Sequence, residues 1–220
     1  RMISPVQTNV LAVPEDLNGL PFDDPVVIQR FKDVLTFAKS QLPNTRVRSL
    51  QLGNAVDLSY GEDWAGWAEY QRFYEAVVPH AKSLWPNAKI GVEVTLGGAI
   101  GPMTPYYQAM NGVSDVLAIS YYPLKANFTM RDPSVVHEDF EALTSAYDLP
   151  IQFIELGYAS GELNKSSEAA QAEFVRQVFI AWDRHAEQIE VVDFTWLHDI
   201  PPLAVRFFSA VHGVNSPRWK

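Results

Sequence analysis

One carboxylate stands at the end of an apolar run. Glu155 follows Ile151-Gln152-Phe153-Ile154 and precedes Leu156-Gly157. A strand of this composition carries its last side chains to the carboxyl edge of a sheet, where a carboxylate can serve as acid, base or nucleophile. The plainer role for a lone Glu is a solvated acid or a salt-bridge partner, so its company matters. Three other runs end in polar or aromatic residues: Gly53-Asn54 after Leu50-Gln51-Leu52, Tyr121-Tyr122 after Leu117–Ser120, and Trp196 with His198 after Val191–Phe194. Glu93, inside Lys89–Thr95, has two roles open to it: contact with a substrate, or a buried and paired acid. His80, His137, His185 and His212 lie in helical stretches without a shared face, so no metal site is expected. The absence of Cys excludes disulfides, thiolate metal ligands and a Cys nucleophile. No GxGxxG, GxxxxGK[ST] or GxSxG pattern is present, and no cofactor is indicated.

The elements that would position these residues alternate. Strands are expected at Pro5–Val13, Val47–Leu52, Lys89–Thr95, Val116–Tyr121, Ile151–Leu156 and Val191–Trp196. Helices are expected at Asp24–Gln41, Trp64–Leu84, Thr104–Asn111, Ser134–Tyr147, Ser167–His185 and Leu203–Val211. Asp24-Pro25 is a helix start, with Val27, Phe31, Val34, Leu35 and Ala38 at helical spacing behind it. Several strands are apolar almost throughout, as in a parallel sheet covered on both faces. Six β–α units in strict alternation imply an α/β fold with a parallel sheet, either doubly wound or a barrel. Chemistry-bearing residues gathered at strand ends favour a TIM-type (β/α) barrel, whose site is built at that face.

The 220 residues suffice for one domain with a sizeable core, and no linker interrupts the pattern, so residues 1–220 read as a single domain. A formal charge of −9 disfavours a nucleic-acid partner. The longest uncharged stretch, Val94–Ser114, holds Gly97, Gly98, Gly101, Pro102, Pro105 and Gly112, which argues against a bilayer helix. The chain opens on Arg1-Met2 without a signal-peptide pattern, so either a leader has been removed or the chain starts part-way through a longer protein.

In order along the chain, Gly53-Asn54, Ser120-Tyr121-Tyr122-Pro123, Ile154-Glu155-Leu156-Gly157-Tyr158 and Trp196 resemble the strand ends of the clan A retaining glycoside hydrolases. The branch of endo-β-1,4-galactanases and their uncharacterised relatives is the most similar. These are (β/α)8 enzymes with glutamates after strands four and seven. The resemblance implies that Glu155 is the nucleophile, that Asn54 belongs to an Asn-Glu pair, and that the ligand is a β-linked oligosaccharide or polysaccharide.

Two departures stand out. Position 55, where the acid/base Glu is implied, holds Ala55. Retaining hydrolysis needs two carboxylates roughly 5–5.5 Å apart, and a methyl group supplies neither proton nor base. Two origins fit: a replacement made to stop turnover, or a natural loss that leaves a carbohydrate-binding pseudoenzyme. Aligning Asn54 with strand four also makes Pro5–Val13 strand three, so only strands three to eight are expected. The open edges would then invite self-association or completion by further residues.

The remaining assignments follow from the resemblance. Trp196 would offer its ring to a pyranose face, and His198 would bind sugar hydroxyls. Tyr122 shares the parity of Ala118 and Ser120 and is expected to point inward and hold Glu155, leaving Tyr121 at the rim. Trp64, in the loop after Asn54, would bind an outlying sugar. A polysaccharide-degrading role implies a secreted or periplasmic protein. A rival reading keeps the α/β fold and treats the strand-end aromatics as packing around an unrelated ligand.

Overall fold

A computed structural model describes residues 13–195 continuously, together with 6–7, 10–11, 201 and 203. The chain packs as two compact units, Arg1–Ile119 and Ser120–Lys220, with the division inside one strand.

The first unit begins with a hairpin. Val6–Gln7 (β1) and Val10–Leu11 (β2) pair antiparallel, with Val6 opposite Leu11 and Gln7 opposite Val10. In place of the expected single strand Pro5–Val13 there are two short ones, and among the described residues neither pairs with the strand that follows. Helix α1 (Pro25–Gln41) starts as its sequence implies: the Asp24 carboxylate accepts from Val26 N at 2.7 Å, and Pro25 takes the first helical position. Val27, Phe31 and Leu35, four residues apart, form its buried stripe.

Strand β3 (Ser49–Gln51) leads into the short helix α2 (Val56–Tyr60) and the 21-residue helix α3 (Trp64–Leu84). Lys89–Thr95, expected as one strand, is interrupted at Val92 into β4 (Lys89–Gly91) and β5 (Glu93–Thr95). β4 runs parallel to β3, with Leu50 opposite Ile90, and β5 lies beside the later strand β6 (Leu117–Tyr121). Helices α4 (Leu96–Ile100) and α5 (Thr104–Met110) fill the connection. Leu50, Leu52, Ile90, Val92, Val94 and Leu117 are almost wholly buried and form the centre of this unit.

The second unit carries the end of β6, helix α6 (Val136–Ala146), strand β7 (Ile151–Leu156), helix α7 (Glu168–Arg184) and strand β8 (Ile189–Phe194). β7 lies between β6 and β8 and runs parallel to β8. α7 is capped by Ser167, whose hydroxyl accepts from Ala170 N. Its buried face, Phe174, Val178 and Ala181, meets a ring cluster in which Phe140 stacks on Phe153 at 4.4 Å and Tyr158 on Phe174 at 4.8 Å. The expected helix Leu203–Val211 and the end of the last expected strand at Trp196 lie outside the described residues.

Candidate active site

In the first unit the strand-to-helix turn at 52–57 is held from several sides. Gly53 has φ +140°, and a Cβ there would lie within 3 Å of Val56, Tyr70 and Val92, so only glycine lets the chain turn this closely. The Tyr70 hydroxyl donates to Leu52 O at 2.9 Å. Asn54 is buried beside it. Ala55 sits in the left-handed region (φ 45°, ψ 50°), a conformation that costs a non-glycine residue about 1–2 kcal/mol and must be imposed by its surroundings.

Two acids brace the turn. Glu93 Oε2 accepts from Ala55 N at 3.3 Å, and Glu93 is 1% exposed. This is the buried acid of the two roles open to it, and its carboxylate is aimed at the backbone of residue 55. Asp57, which the sequence reading did not single out, accepts from Thr95 N at 2.9 Å and from Thr95 Oγ1 at 2.5 Å. Glu93 and Asp57 thus tie the turn to β5 at both ends.

Burial raises the Asp57 pKa above its ordinary 3.8, and the Thr95 hydrogen bonds only partly offset that cost. Between 3.8 and the higher folded value the native state binds more protons than the unfolded chain. Stability from this group is therefore fullest at low pH and falls as pH rises through that window. Asp57→Asn removes the titration. Its melting temperature relative to the unaltered chain should be higher at pH 7 than at pH 4, and a difference that does not change with pH would contradict this.

Trp64 is the first residue of α3, where the expected helix Trp64–Leu84 also begins, and Asp63 caps it, its side chain accepting from Gly66 N. Its ring stacks on Tyr106 at 4.5 Å with 6° between the planes, and Trp64 remains 40% exposed. Tyr106, on α5, escaped the sequence reading because nothing in Pro105-Tyr106-Tyr107 marks which ring is outside. Tyr107 is the fully buried one.

In the second unit Glu155 lies one residue before the end of β7 and is half-buried. The Tyr122 hydroxyl donates to Glu155 Oε2 at 3.2 Å. Tyr121 does not reach the rim. It is 2% exposed among Phe140, Phe153 and Phe174, and its hydroxyl donates to Asp139 Oδ2 at 2.6 Å. The Arg131 guanidinium grips both oxygens of the same carboxylate at 2.8 and 3.2 Å. Burial and Asp139 push the Tyr121 phenol far up, so it stays neutral. The alternation of the strand explains the correction: the side opposite an inward residue is covered by helices α6 and α7, and it is not a mouth.

Gly157 gives the Tyr122 ring its place. A Cβ on Gly157 would stand 2.6 Å from Tyr122 Cε1. Gly157→Ala should displace the ring, break its bond to Glu155 and cost about 1–3 kcal/mol by overpacking. Chemical denaturation checks the figure, and an unchanged midpoint would show that the ring yields without cost. Trp196 and His198 lie outside the described residues. Among the described residues no group of three or more His, Asp or Glu is placed to hold a metal ion, and no helix is long and apolar enough to cross a membrane.

No protein-family model and no curated protein matches the chain. Solved structures match its fold, and they define a class. The fold is that of the TIM-type (β/α) barrels, here in part, and the resemblance to clan A glycoside hydrolases holds at the level of fold. The GH53 catalytic domain of Ignisphaera aggregans gives a TM-score of 0.63 at 20% identity, over 82% of this chain and 56% of that one. The exo-β-1,4-mannosidase Op5Man5 from Opitutaceae bacterium strain TAV5 gives 0.64 at 16% identity, over 91% and 39%. A GH10 xylanase of Thermobacillus composti gives 0.59 at 16% identity, over 91% and 67%. The chain spans only 56% and 39% of the length of the first two.

Proposed function

We propose that the chain carries part of a retaining glycoside hydrolase barrel acting on β-linked oligosaccharide or polysaccharide. Glu155 is the nucleophile and position 55 is the place of the missing acid/base. The observation that carries this reading is the Tyr122–Glu155 hydrogen bond at the carboxyl end of β7, in a fold like that of glycoside hydrolases. A phenol donor on one carboxylate oxygen orients the carboxylate, as attack on an anomeric carbon requires. On the acid/base side, Glu93 and Asp57 are positioning residues. Glu93 holds the backbone N–H of residue 55, and Asp57 ties the far end of the turn to Thr95. Asn54, Trp64, Trp196 and His198 are assigned to substrate, and no cofactor takes part.

Ala55 supports a second reading, a carbohydrate-binding pseudoenzyme on the same barrel. Its methyl group cannot protonate a leaving oxygen, and its turn is intact without a carboxylate. Hydrolysis of a β-glycan by Ala55→Glu separates the two readings.

A further inference from the structure

Asp139 lies on α6 and is 6% exposed, yet its carboxylate gathers a phenol and a guanidinium. It accepts from the Tyr121 hydroxyl at 2.6 Å and from the two ends of the Arg131 fork at 2.8 and 3.2 Å. An ion pair of this kind adds little to stability, because desolvation of the two charges offsets their attraction. Apolar side chains of similar volume would hold α6 against the sheet about as well. What the cluster aligns is a better account of it.

Tyr122 lies between two segments that Asp139 holds. On one side is Tyr121, whose phenol bonds to the Asp139 carboxylate and whose carbonyl accepts from Gly157 N at 3.1 Å. On the other is Pro123, whose carbonyl accepts from Arg131 N at 2.8 Å. The strand of Glu155 is tied to the same points. Gly157, the donor to Tyr121 O, is two residues beyond Glu155, and the Tyr158 hydroxyl donates to Arg131 O at 2.7 Å. Both ends of the Tyr122–Glu155 hydrogen bond are thus anchored on partners of Asp139. At 3.2 Å that bond is longer than the usual O–H···O range of about 2.5–3.0 Å, so a small shift at the end of β6 breaks it.

We propose that Asp139 is a positioning residue for the nucleophile: from the helix side of the sheet it aligns the Tyr122 hydroxyl with Glu155 through Tyr121 and Arg131, without touching substrate. The proposal rests on the assignment of Glu155 above and deepens it. Damage at this point of α6 slows formation of the glycosyl-enzyme and leaves substrate binding as it was.

Crystal structures and first-turnover kinetics of the 220-residue chain test it together. In Asp139→Asn the Arg131 fork loses a carboxylate oxygen, and the Tyr122 hydroxyl should leave hydrogen-bonding distance of Glu155. The kinetic probes are dinitrophenyl β-glycosides of galactose, glucose, xylose and mannose. On the one that reacts, the burst rate constant should fall about 10- to 100-fold, the range for one hydrogen bond to a charged group. The half-saturating concentration and the burst amplitude should not change, whereas loss of folded protein would lower the amplitude and spare the rate constant. Tyr122→Phe should match Asp139→Asn, and the double variant should be no slower than either, since both remove the same bond. Arg131→Lys, which keeps the charge without the fork, replaces Asp139→Asn if that variant melts early. Three results overturn the proposal: an intact Tyr122–Glu155 bond in the crystal structure of Asp139→Asn, an unchanged rate constant, or additive losses in the double variant. No burst from the unaltered chain on any of the four glycosides removes the hydrolase reading, and the crystal structures then decide the alignment by themselves.

Discussion

Ala55→Glu should hydrolyse at least one of galactan, β-glucan, xylan or mannan, at about 10²–10⁴ times the rate of the unaltered chain, the usual contribution of a positioned proton donor and acceptor. The expectation rests on what is already in place. Gly53 makes the turn, Glu93 holds the backbone N–H of residue 55, and Asp57 ties the far end to Thr95. A glutamate inherits the left-handed backbone at the same cost that Ala55 already bears, because the penalty arises at Cβ, which both residues have. Reducing-sugar release on the four polymers measures the result. Adding Glu155→Gln to the same variant should return the rate to the level of the unaltered chain. A folded Ala55→Glu without activity on all four polymers would sink the hydrolase reading and leave the binding one.

The helices were legible because their signals are local. Asp24-Pro25 and Ser167 each announce a start within three or four residues, and both caps form. The helix Trp64–Leu84 begins and ends where expected, behind an Asp63 cap, whereas α2 is unannounced because a five-residue helix is too short for a periodic signal. The strands were less legible. Lys89–Thr95 is continuous in hydrophobicity, and its interruption at Val92 follows from neighbours: β4 runs beside β3 and β5 beside β6. The hairpin at Val6–Gln7 and Val10–Leu11 was hidden in a run apolar enough to read as one strand.

The site divides the same way. Tyr122 was placed by parity with Ala118 and Ser120, and it meets Glu155, since alternation is built into an extended backbone. The same parity misled for Tyr121, whose partner Asp139 is on α6, eighteen residues on, at no sequence period. The contacts of Glu93 with Ala55 and of Asp57 with Thr95 each span 38 residues of chain, and no spacing rule connects them. Asp57 carries no sequence signal for this role, and burial was only one of the two roles open to Glu93.

With Ala55 in place, the unaltered chain given an aryl β-glycoside with a good leaving group should release the aryl oxide in a first turnover and then stall. Departure of an activated phenol needs little acid, so the Glu155 carboxylate can attack the anomeric carbon, expel the aryl oxide and form an α-linked glycosyl-enzyme. Water then lacks the base that would activate it, and the ester persists. Azide is an anion and needs no base. It should attack the same carbon from the β face, restore the Glu155 carboxylate and yield the β-glycosyl azide, with turnover raised by added azide. The Tyr122 hydroxyl, donating to Glu155 Oε2 at 3.2 Å, orients the carboxylate for both steps. Product configuration by NMR reads the outcome directly. Two displacements retain configuration and one inverts it, so an α-glycosyl azide would mean that azide displaced the phenol itself and that Glu155 is not the nucleophile. In Glu155→Ala, where the carboxylate is gone, that inverted product is the expected one.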